Sequence, residues 1–146
     1  MKTSFSFLFV IVINLDAQAQ SPVGEWKFSS YYTENQAGKK VDILKGFTED
    51  YPCMTTVVLN FTADGKITVQ DDQCRGTLRE SGIGTKWKIL VKNRITVLMD
   101  DPDIDPVTYN FVMIGNKMRW TMDFSDDSDK DKPDGVSLLV VEYIKA

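Results

Sequence analysis

Between Gly24 and Ile144 the chain alternates apolar and polar residues in one short run after another. A period of two puts successive side chains on opposite faces of an extended strand, so each such run needs a sheet with one covered face. The clearest run sets Met118, Trp120, Met122 and Phe124 against Lys117, Arg119, Thr121 and Asp123. The same pattern groups Trp26, Phe28 and Tyr32; Val57, Leu59 and Phe61; Ile67 and Val69; Trp87, Ile89 and Val91; Ile95, Val97 and Met99; and Tyr109, Phe111 and Met113. Eight strands are expected, over 24–33, 54–62, 66–70, 85–91, 94–99, 107–114, 117–124 and 136–144, the last without a clear phase. Asp64-Gly65 and Gly115-Asn116 are tight-turn signals. No useful stretch carries the helical period.

Sheet edges template aggregation, and closing the sheet removes them. The expected fold is therefore all-β, an eight-stranded antiparallel up-and-down barrel, since a Greek-key sandwich would need longer crossovers. Three segments interrupt the meander. Residues 34–52 carry Val41, Ile43, Leu44 and Phe47, and read as a lid or short helical turn over a barrel mouth. Residues 125–135 form a polar turn, and Asp100–Pro106 a short acidic loop.

Residues 1–19 read as an export signal. Lys2 gives a positive start, Phe5–Ile13 an apolar run too short to cross a bilayer, and Ala17-Gln18-Ala19 a small-residue cleavage pattern. The folded domain is then 20–146, starting near Gln20. The signal carries one charge of each sign, Lys2 and Asp16, so the net charge of −4 is unchanged. An acidic exported domain has no electrostatic case for binding nucleic acid or anionic membranes. Export also makes Cys53 and Cys74 a disulfide candidate, with two free thiols as the alternative. Folding back about Asp64-Gly65 pairs residues whose numbers sum to 128; the cysteines sum to 127, which puts them opposite each other.

Chemistry is constrained by absence. The sequence has no His, which removes the commonest general base and metal ligand. Two Cys cannot make a four-ligand zinc site. Asp127, Asp129 and Asp131 have the spacing of a calcium loop's first ligands, but Lys132 and Leu138 stand where Gly and Glu are needed, so a solvated turn is the reading. Glu25, Glu80 and Glu142 lie on or beside expected strands with nothing to pair them. No enzyme, metal or cofactor is expected.

Gly24-Glu25-Trp26 opens the first strand as G-x-W does in lipocalins. Cys53, then Leu59-Asn60-Phe61-Thr62-Ala63-Asp64-Gly65-Lys66, then Cys74, then Gly84-Thr85-Lys86-Trp87-Lys88-Ile89, is similar to the small exported lipocalin-like domains of Bacteroidetes-type bacteria. The resemblance covers essentially all of 22–146. It implies a calycin-type barrel closed at one end by Gly24 and Trp26. The chain departs from true lipocalins: the T-D-Y-like motif is missing, the sequence ends just after its last strand, and Lys145 stands where an Arg would stack on the Trp.

The expected activity is binding without catalysis, of a small hydrophobic or amphipathic molecule, by a monomer in the periplasm or medium. Tyr32, Phe47, Trp87, Tyr109, Phe111, Trp120 and Met122 are the candidate ligand contacts, with most of the aromatic mass simply filling the barrel. The competing expectation is a filled barrel whose loops bind a protein partner. An internal cavity of some 300 Å³ or more separates the two.

Overall fold

The computed structural model describes residues 20–81, 83–124 and 135–146, without the side chains of Asp72, Gln73 and Glu80. The expected export signal at 1–19 and the acidic turn expected at 127–131 lie outside the described residues. Among the described residues nine strands appear in chain order: β1 (Gly24–Glu34), β2 (Lys40–Asp42), β3 (Leu59–Phe61), β4 (Ile67–Val69), β5 (Lys86–Val91), β6 (Arg94–Leu98), β7 (Val107–Ile114), β8 (Lys117–Asp123) and β9 (Leu138–Lys145). Two helices, α1 (Leu44–Asp50) and α2 (Asp72–Glu80), join them, with a 3₁₀ turn at Pro52–Thr55.

The strands run β4-β3-β1-β9-β8-β7-β6-β5, and β2 is a short ribbon on β1. All pairings are antiparallel. A bridge between Lys66 and Lys86 brings the two ends of this order together. The Ile67 N–H donates to Thr85 O at 2.8 Å and the Trp87 N–H to Gly65 O at 2.9 Å. The fold is thus an eight-stranded, nearly closed up-and-down barrel of the lipocalin-like kind, with a thin seam between β4 and β5. Gly65 makes that approach possible. Its φ is +84°, and a Cβ there would meet Trp87 O at 3.0 Å.

Register in the β3–β4 hairpin follows the expected sum, Leu59 facing Val69 and Phe61 facing Ile67. The segment before it differs. Residues 54–58 were expected to extend the strand, yet Pro52–Cys53–Met54–Thr55 wind into the 3₁₀ turn. Pro52 has no N–H to give a ladder, and Met54 is buried in the core instead. The cysteines do form a disulfide, Cα atoms 5.7 Å apart. It ties the 3₁₀ turn to α2 rather than closing two ladder strands. Helix α2 itself departs from the all-strand expectation. Its apolar positions are only Cys74 and Leu78, one turn apart and both 2% exposed, so one short buried stripe suffices to dock it.

Two bulges alter the expected faces. In β1, Phe28 faces Tyr143 and Ser30 faces Glu142, leaving Ser29 without a partner residue. One extra residue reverses the alternation. Tyr31 therefore points inward and Tyr32 outward, where the Lys40 ammonium lies 4.9 Å from its ring. In β5 a shift between Ile89 and Val91 turns Val91 out, 57% exposed. Met99 lies past the end of β6 and lines an outer cleft.

One barrel end is sealed. Trp26 is fully buried, its indole N–H donates to Pro22 O at 2.8 Å, and Lys145 Nζ sits 5.6 Å over its ring. Leu59, Phe61, Ile95 and Met118 fill the interior beside it, each essentially inaccessible. No described helix is long and apolar enough to cross a membrane.

Candidate binding site

Two places on the described structure bear on ligand binding. The first is the barrel interior beneath α1. The helix reaches inward with Phe47, whose ring lies 5.7 Å from Phe28, 5.4 Å from Tyr31 and 5.4 Å from Tyr51. Below it, Trp120 stacks with Tyr109 at 5.3 Å and Tyr143 at 5.1 Å. The space left among these rings is about 60 Å³. That volume is far below the 300–1,000 Å³ typical of ligand pockets, so the barrel is filled by its own side chains. Among the described residues two buried side-chain polar atoms have no hydrogen-bond partner: Trp120 Nε1 here, and Ser29 Oγ at the β1 bulge. Burial raises the Tyr109 hydroxyl to about 12, with the nearby Tyr31 adding to the shift. Burial also raises Tyr31, and raises Tyr143 further still. All three stay neutral near pH 7, so none is poised as a phenolate base.

The second place is outside, along the seam. Two adjoining clefts of about 340 and 290 Å³ share Arg79, Thr85 and Asp100. Met99 and Ile104 wall the first, Ile67, Val69 and Leu78 the second. Arg79 from α2 pairs with Asp100 at 3.0 Å, and the Thr85 hydroxyl donates to Asp100 Oδ1 at 2.6 Å. The Thr85 hydrogen bond, more than the Arg79 and Lys86 charges, holds the Asp100 carboxyl below its usual range. Apolar walls around a fixed polar cluster suit an amphipathic molecule. The helix is held over this cleft by its disulfide and by Leu78.

Of the seven candidate ligand residues, Phe47, Tyr109 and Trp120 meet in the interior space. Trp87 sits at the seam and donates its indole N–H to Thr62 O at 3.1 Å. Phe111 is 2% exposed in the packed core, and Met122 lines a shallow outer depression with Arg94 and Asp123. Tyr32 is on the outer surface. Tyr31, Tyr143 and Arg79 went unread in the sequence, and Thr85 and Asp100 were read only as the start of a strand and of an acidic loop. The charge of Glu142 sets the phase of β9, with Val141 and Tyr143 on the other face, and this was the signal for Tyr143. Among the described residues the only group with metal-ligand spacing is Cys53, Asp71 and Cys74, whose two sulfurs are bonded to each other. Glu142 is engaged by Lys117 and Arg119, each at 3.2 Å, and Glu25 accepts from Gln70 Nε2 at 3.0 Å, so neither forms a carboxylate pair. The chain matches no family model, no curated protein and no solved structure in these comparisons.

Proposed function

We propose that this chain is an exported, non-catalytic binding protein with a filled lipocalin-like barrel, taking a small amphipathic ligand in the cleft along its seam. The observation that carries the reading is one of volume. The outer cleft offers about 340 Å³ beside a mixed polar and apolar wall, against about 60 Å³ inside. Export is supported by the signal-like residues 1–19 and is compatible with the disulfide. A binding rather than catalytic role is supported by the state of the cleft's acid. Asp100 is held ionised by Thr85 and Arg79, which makes it a weak base and no acid near neutral pH.

The test is native mass spectrometry of protein purified from periplasm or medium, with thermal shift and calorimetry across fatty acids and small hydrophobes. A ligand should bind, and Arg79→Ala should weaken it about tenfold or more, as loss of a charged hydrogen-bond partner does. Binding that survives Arg79→Ala but is lost in Phe47→Ala would move the site inside the barrel. No co-purifying molecule and no shift across the panel would overturn the small-ligand reading.

A further inference from the structure

Gln20 is the residue that follows the Ala17-Gln18-Ala19 cleavage pattern, and it leads into the segment that seals the barrel. The segment is docked. Pro22 is buried and its carbonyl receives the Trp26 indole N–H. The Gln20 side-chain Oε1 accepts the Met113 N–H at 3.1 Å. That amide needs a partner, because the pairing of β7 with β6 stops at Asn110 opposite Arg94. Gln20 also shares its depression with Arg119.

We infer that Gln20 is a modification site: once cleavage exposes its α-amine, the residue closes to pyroglutamate. The α-nitrogen attacks the side-chain amide carbon Cδ. A new N–Cδ bond forms, the Cδ–Nε2 bond breaks, and ammonia leaves carrying the proton released from the amine. No oxidant or cofactor is consumed. The lactam keeps the oxygen on Cδ, so the acceptor for Met113 is retained. It also removes a positive charge from a depression that already holds a guanidinium. Asparagine or glutamate at this position would not give the same five-membered lactam with the same ease.

This inference rests on the exported reading, and one measurement separates the two. The full chain with its own leader is expressed, recovered from periplasm or medium, incubated at neutral pH and mapped after trypsin. The expected N-terminal peptide spans 20–27, lacks a free amine and is lighter by one ammonia than the encoded sequence. A free Gln20 terminus overturns the inference and leaves export standing. Cleavage at a neighbouring bond overturns the inference and leaves export standing, whereas an uncleaved Met1 terminus overturns both. Gln20→Ala should be cleaved at the same bond, show its full encoded mass and lose hydrogen-exchange protection at the Met113 amide. Retained protection there would overturn the docking role of the ring oxygen.

Discussion

Replacing Gly65 with alanine should loosen the barrel at its seam. Gly65 sits at φ +84°, and the added Cβ would come within 3.0 Å of Trp87 O, a backbone atom that cannot swing away. A left-handed conformation costs an alanine roughly 1–2 kcal/mol, partly offset by about 0.4–1 kcal/mol from a stiffer unfolded chain. Gly115 measures that part alone: its φ is +61° and nothing lies within 4 Å of an added Cβ. Gly115→Ala should therefore destabilise by only about 0.5–1 kcal/mol. At Gly65 the strands must also part, straining the Trp87 N–H to Gly65 O bond, worth about 0.5–1.5 kcal/mol. The expected loss is about 1–2.5 kcal/mol in all, against about 0.5–1 kcal/mol at Gly115. Urea unfolding of the two variants beside the parent reads the difference as a shift in midpoint at constant slope. Equal losses at Gly65 and Gly115 would refute the idea that close backbone approach holds the seam.

Other expectations follow from the same structure. Removing the Cys53–Cys74 bond as a double alanine variant should cost about 3 kcal/mol in urea unfolding, from the entropy of a loop 21 residues in sequence separation. Leu78→Ala, at the foot of α2, should cost about 2–4 kcal/mol, and should weaken any cleft ligand as well. Burial alone would raise Glu142, but bonds from Lys117 and Arg119 outweigh it and hold the carboxyl below its ordinary value. A lowered folded value means stability present above the unfolded value and lost as pH falls through the folded one. Unfolding free energy should therefore drop on acidification below about pH 4.5, and less steeply in Glu142→Gln. The tyrosines act at the other extreme. Raised folded values favour the neutral hydroxyl, so stability should decline as pH climbs from 10 towards about 12, with phenolate absorbance lagging that of the unfolded chain.

The barrel was legible because alternation is a property of single strands, and β7 and β8 show it without interruption. What the alternation cannot report is a residue added on one strand only. The bulge at Ser29 exchanged Tyr32 for Tyr31, and no pattern within 24–33 distinguishes them, since both are tyrosines. Helix α2 was hidden for a different reason. It buries just Cys74 and Leu78, with Gly76 between them, too few apolar positions for a period to emerge. The seam cleft draws Arg79, Thr85 and Asp100 from three separate segments. Only the closed barrel brings them together.

The longest partner of the first strand is the last one. Residues 26–34 of β1 face 138–145 of β9, whereas β1 and β3 share only three residue pairs. Synthesis delivers β1 long before β9. Until residues 138–145 emerge, β1 lacks its main neighbour, and β8 lacks one as well. Contacts this remote in sequence form slowly, because a long loop must close before they are rewarded. The barrel therefore cannot close until β9 has joined both β1 and β8.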